Sequence, residues 1–79
     1  MALYDEVIDV ARNYLGPAAP KFVKRQIRAH LEIEGSQLTY SDLDELAEWC
    51  YTSSKVLMDD VKAREFSDHI RSLRNGSRV

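Results

Sequence analysis

Apolar residues recur every three or four positions along most of the chain, which is the spacing of amphipathic helices and differs from the alternation of strands. The first run shares one face and consists of Leu3, Val7, Ile8, Ala11, Tyr14 and Leu15. Gly16 supplies the positive φ that commonly ends a helix, and Pro17 suits the first turn of the next helix. The pattern predicts a first helix over residues 3–15 and a second that follows with almost no loop.

The second helix is predicted to begin at Pro17 or Ala18 and to run to about Ile33. Gly35 is its expected C-terminal stop. Its apolar arc is wide and has two flanks, formed by Phe22, Ala29 and Ile33 and by Val23, Ile27 and Leu31. Because a helix with such an arc contacts more than one neighbour, we expect it to be the central helix.

A third helix is predicted to begin at Thr39, since Asp42 can complete a capping box with it. Its buried face is predicted to contain Leu43, Leu46, Ala47, Cys50, Ser53, Ser54 and Leu57. The next apolar run is out of phase with that face and consists of Ala63, Phe66, Ile70 and Leu73. We therefore expect a break between Met58 and Lys62, with Asp59 and Asp60 opening a fourth helix. Residues 75–79 are expected to form a frayed tail. The predicted fold is all-α, a single compact four-helix domain with short connections.

Composition limits the size of the core and the class of partner. A chain of 79 residues buries only roughly 60% of the surface that its unfolded form exposes, so a second copy or a partner is expected to cover apolar surface. The net charge of -2 argues against a dedicated nucleic-acid binder, which usually has a basic excess. The single Cys50 favours a reducing, cytoplasmic compartment. The N-terminus has no secretory signal or membrane-span pattern, so we expect a complete, unprocessed chain.

Four cations on the second helix are the clearest candidate site: Lys21, Lys24, Arg25 and Arg28. Helical spacing gathers them into one basic stripe that suits an acidic partner helix, a phosphate or nucleic acid. A solvated stripe, or one paired with acids of the first and third helices, is the plainer interpretation. A helix-turn-helix interpretation fails on charge, because the third helix opens with acidic residues that DNA phosphates would repel.

A second candidate surface lies on the third helix. Trp49 and Val56 lie to one side of its buried face, and a second subunit would cover them if the domain does not. The small residues Ser53 and Ser54 would let another helix approach closely. These residues predict a homodimer.

Catalysis, metals and cofactors are not expected. His30 and Gln26 lie on the apolar side of the second helix, where a hydrogen-bonded core pair is the expected arrangement. Pairing of Cys50 with His30 as a nucleophile would need contact, an orienting group and access to substrate. With one cysteine and two histidines, no zinc-type spacing is present.

Residues 14–25, from Tyr14 to Arg25, read YLGPAAPKFVKR. This stretch resembles the Gly-Pro-x-Ala segment of small helical modules attached to bacterial signalling proteins such as kinases and response regulators, and departs from it at Ala18, where a larger apolar residue is usual. The resemblance implies a regulatory or adaptor role through helix packing, with no catalytic residue. We expect a non-enzymatic protein-interaction module that self-associates; the alternative is a nucleic-acid-associated protein using the basic stripe. No membrane and no small-molecule substrate are expected.

Overall fold

The computed structural model describes residues 2–75, and within that range the fold is all-α, with no residue in a strand. This confirms the predicted class. The α-helices of this range are α1 (Leu3–Leu15), α2 (Ala19–Gln26), α3 (Leu43–Ser54) and α4 (Asp60–Ser72). Helix α2 has 8 residues and the others have 12 or 13. Most of the expected tail, residues 76–79, lies outside the described residues.

The junction between α1 and α2 follows the prediction. Gly16 has a φ of 60°, and its N–H donates to the carbonyl oxygen of Arg12. The next turn, Gly16–Ala18, is a 3₁₀-helix that contains Pro17, and Pro20 lies in the first turn of α2. Gly16 is used here because a side chain at positive φ is strained.

The end of the second helix differs from the prediction. After Gln26 the chain continues as a π-helix over Ile27–Leu31, in which the N–H of Glu32 donates to the carbonyl oxygen of Ile27 at 3.0 Å. The helix thus ends before Ile33, and its C-cap is Glu32, in the left-handed conformation with a φ of 58°, instead of the expected stop at Gly35.

Gly35 serves close packing instead of helix termination. A Cβ at this position would lie 2.6 Å from the ring of Tyr4. Such a distance is shorter than a van der Waals contact between carbons. Gly35 therefore lets the loop after the π-helix pack on α1.

The start of the third helix is confirmed. The N–H of Thr39 donates to Oδ2 of Asp42 at 3.0 Å, which is the predicted capping box. The first turn, Tyr40–Asp42, is a 3₁₀-helix, and α3 follows from Leu43.

The end of the third helix was predicted too late. Helix α3 ends at Ser54, and the N–H of Leu57 donates to the carbonyl oxygen of Ser54 at 2.8 Å in a tight turn. This turn rotates Leu57 away from the core, so the prediction that Leu57 is buried is wrong: it is 63% exposed. The predicted cap of α4 is confirmed, because Oδ1 of Asp59 accepts from the N–H of Lys62 at 2.8 Å.

The core lies between the helices, with α1 packed on α2 and α4, and α3 packed on α2 and α4. Phe66 is fully buried, and its ring centroid lies 5.2 Å from that of Tyr14 and 6.1 Å from that of Phe22. Burial of one such side chain contributes about 1.5–3 kcal/mol. Helix α2 packs on both α1 and α3, and Phe22 also reaches Phe66 of α4, so it contacts more than one neighbour as its wide apolar arc predicted.

Candidate binding groove

An open groove of about 540 Å³ runs between the second helix and the turn that follows α3. Its apolar lining residues are Ala18, Phe22, Ala29, Val56 and Leu57. We call it the α2 groove. Val56 is 86% exposed and Leu57 is 63% exposed, so the groove presents apolar surface to solvent.

The turn over residues 55–57 places these two side chains at the groove. Two N–H groups, those of Leu57 and Met58, donate to the carbonyl oxygen of Ser54 at 2.8 and 3.0 Å. The chain must then reach the N-cap of α4 at Asp59 within a few residues. Because the chain turns here, Val56 and Leu57 lie outside the core and line the groove.

Lys21 and Arg25 line the same groove from α2. They lie four residues apart on the helix and therefore occupy one face, about 6 Å apart along its axis. Lys24 and Arg28 are also exposed, as predicted, but they lie on the second helix outside the groove lining. The predicted basic stripe therefore divides into two sets of cations: Lys21 and Arg25 line the groove, and Lys24 and Arg28 do not.

The four cations of the stripe carry no internal ion pair in the part of the chain that the structure describes, where no carboxylate oxygen lies within 4.0 Å of their nitrogens. Arg71, at the contact between α3 and α4, does form ion pairs. Its Nη2 lies 3.0 Å from Oε2 of Glu48, and its Nη1 lies 3.4 Å from Oδ1 of Asp68. Arg74 pairs with Asp44. Internal pairing therefore does not account for the basic stripe.

Polar side chains form the floor of the groove. Gln26 is 4% exposed, and its Oε1 accepts from the hydroxyl of Ser53 at 2.9 Å. His30 is half-buried and stacks on Trp49, with ring centroids 3.7 Å apart and ring planes at 4°. The expected pair of Gln26 and His30 is therefore corrected, because each has its own partner on α3.

Three of the predicted partner-binding residues, Lys21, Arg25 and Val56, are brought together at the groove. Trp49 lies behind His30 and supports it without lining the groove. Ser53, which was expected to admit a second subunit, instead contacts the second helix of the same chain.

The sequence pattern did not identify three groove residues, which are Phe22, Ala29 and Leu57. Each was assigned to an apolar face, and the periodic pattern alone does not tell a core position from a groove position. Ala29 is exposed in the π-helix, where the register of the second helix changes. A break placed at residue 55 would have identified Leu57.

Cys50 lies in the core. Its side chain is 0% exposed, and burial raises the pKa of the thiol to about 12. The prediction that Cys50 lies on the buried face of the third helix is confirmed. Among residues 2–75, no group of three or more His, Cys, Asp or Glu side chains is placed to hold a metal ion.

Comparisons of the chain with family models, with curated proteins and with solved structures found no match. No helix among residues 2–75 is both long enough and apolar enough to cross a membrane. The function is therefore inferred from the apolar lining and the positive charge of the α2 groove.

Proposed function

We propose that this domain is a non-enzymatic protein-interaction module with a regulatory or adaptor role, and that the α2 groove is its docking surface. The observation that carries the proposal is the exposure of Val56 and Leu57 beside the cations Lys21 and Arg25, which form no ion pair among residues 2–75. Grouped apolar side chains in a groove with a polar rim are typical of interaction sites. The resemblance of residues 14–25 to modules of bacterial signalling proteins favours a regulatory role.

The proposal includes a compact four-helix domain as the frame of the groove. The groove walls come from the second helix and from the turn after α3. The bond between Ser53, in the last turn of α3, and Gln26 links α3 to the second helix beneath them. A groove held in this way is preformed, which lowers the entropy lost on binding. A cytoplasmic location belongs to the same proposal and is supported by the single free, buried Cys50.

Self-association is the second part of the proposal. Val56 and Leu57 offer apolar surface to a second copy, but a two-fold axis at the groove would also place Lys21 and Arg25 near their own copies. Salt screens like-charge repulsion, so we expect a weak dimer that strengthens as salt rises. Sedimentation equilibrium at low and high salt measures this, and a strict monomer at high concentration and high salt would remove this part of the proposal.

The four exposed cations, which form no ion pair within the described range 2–75, also favour a second candidate function, which is nucleic-acid association. Retention of the protein by RNA or DNA, lost at high salt and abolished by Lys24→Glu with Arg28→Glu, would support it. The net charge of -2 opposes it.

A displayed library of helical and extended peptides tests the docking function without knowledge of the natural partner. Binders selected on the intact domain are expected to be lost with Val56→Asp. They are expected to survive Val61→Asp, because Val61 is similarly exposed at 66% but lies on α4, outside the groove lining. Binders that tolerate Val56→Asp, or a library that yields none, would contradict the assignment of the groove as a docking surface.

A further inference from the structure

We infer that the partner segment is an acidic amphipathic α-helix, whose apolar side contacts Val56 and Leu57 and whose two carboxylates, one helical turn apart, pair with Lys21 and Arg25. This inference rests on the proposed docking function and adds the chemistry of the partner to it. It has two independent supports, the apolar lining of the groove and the spacing of its cations.

The lining suits a helix. Helices that bind in grooves place apolar side chains at three- and four-residue spacing into the apolar part of the groove. The α2 groove offers Phe22 from one wall and Val56 and Leu57 from the other. Its small residues, Ala18 and Ala29, leave room for a backbone to come close. An extended or irregular segment would leave unpaired N–H and C=O groups against these apolar side chains, which is costly.

The charge and the spacing of the two cations predict which side chains the partner helix carries and how far apart they lie. Lys21 and Arg25 lie about 6 Å apart along α2, and carboxylates three or four residues apart on a partner helix have a similar separation. Within residues 2–75 these two cations meet no carboxylate within 4.0 Å. An acidic helix would supply the missing counter-charges and also be steered to the groove during encounter.

A second copy of this chain is a less suitable occupant. A symmetric dimer at the groove would bring Lys21 and Arg25 of both copies together, which opposes association. Several acids of α3 and α4 are already paired within the chain, including Asp44 with Arg74 and Glu48 with Arg71. The groove's cations therefore favour a different, acidic chain.

The experiment uses the binders selected from the peptide library, synthesised in their selected form and with every Asp and Glu replaced by Asn or Gln. Fluorescence anisotropy with the intact domain measures each affinity at low and high salt. The selected sequences are expected to carry acidic pairs at three- or four-residue spacing. Neutralising the peptide is expected to weaken binding by about two- to thirtyfold at low salt, because each of the two exposed ion pairs contributes only modestly to affinity.

Two double variants of the domain locate the effect. Lys21→Glu with Arg25→Glu should weaken binding of the acidic peptides more than neutralising the peptide does, because repulsion replaces attraction, and it should favour versions with Lys in place of Glu. Lys24→Glu with Arg28→Glu is the matched control, because it makes the same charge change on the same helix outside the groove lining. It should change affinity far less. All four residues are exposed, and circular dichroism verifies that both variants fold.

The outcomes separate this inference from the docking function. If neutral peptides bind as tightly as acidic ones and still require Val56, the groove docks a partner but the acidic chemistry is wrong. If both double variants weaken binding equally, the cations act as a diffuse basic surface, as they would towards nucleic acid, and the inference fails. If selected binders do not require Val56, the docking function itself fails.

Discussion

Replacing Ser53 with Ala removes one hydrogen bond and leaves a buried acceptor unpaired. The Ser53 hydroxyl donates to Oε1 of Gln26 at 2.9 Å, across 27 positions of sequence, and Gln26 is 4% exposed. A buried polar group without its partner costs about 1–3 kcal/mol. Cores of domains this small rarely supply more than about 3–5 kcal/mol, so Ser53→Ala is expected to remove a large part of the free energy of unfolding.

The matched double variant separates the lost bond from the lost side chain. Replacing Gln26 with Leu together with Ser53→Ala removes both the donor and the acceptor. The double variant should therefore lose less free energy of unfolding than Ser53→Ala alone. Thr52→Ala is the control, because Thr52 is an exposed neighbour on α3. Urea unfolding followed by circular dichroism gives all three free energies.

Two results would refute this reasoning. The first is a cost for Ser53→Ala within the range of surface substitutions, about 0.5 kcal/mol. The second is a double variant that is less stable than the single one. Either would mean that Gln26 does not depend on Ser53, and that the floor of the α2 groove is not held by this bond.

Three further predictions concern the core, the thiol and the ion pairs. Phe66→Ala should cost about 3–5 kcal/mol and leave the domain largely unfolded by circular dichroism, and a cooperative, stable variant would contradict the packing of Phe66. Burial raises the pKa of the Cys50 thiol to about 12. At pH 8 this thiol should therefore react with a thiol reagent only when the protein unfolds, and urea should accelerate the labelling. Fast labelling without urea would contradict its burial. The hydrogen bond from Arg74 lowers the pKa of Asp44 below 3.8 in the folded protein. The stabilisation from this ion pair is therefore present above pH 3.8 and is lost as the pH falls through the pKa of Asp44 in the folded state. The difference in free energy of unfolding between wild type and Asp44→Asn should shrink in acid, and a difference unchanged down to pH 2 would contradict this.

The helices could be predicted because local signals agree with the apolar period. Gly16 marks the end of α1, the Thr39 capping box precedes α3, and Asp59 caps α4. Each signal depends on residues within four positions of one another, so the sequence alone is sufficient.

The groove could be predicted only in part, because it depends on where two helices stop being regular. The π-helix Ile27–Leu31 changes the register of the second helix without any Gly or Pro in its sequence. The end of α3 at Ser54 is likewise followed by no Gly or Pro before α4. The exposure of Ala29 and Leu57 therefore has no Gly or Pro signal in the sequence. The cations of the stripe were found because their exposure follows directly from helical spacing.

The backbone amide chemical shifts of the domain, measured during titration with a selected acidic peptide, test the groove as the docking surface. The largest changes are expected at residues 18–30 and 53–57, and the variant with Lys21→Glu and Arg25→Glu should show much smaller changes at the same peptide concentration. Changes concentrated on α1 and α4, with the groove residues unmoved, would contradict this account.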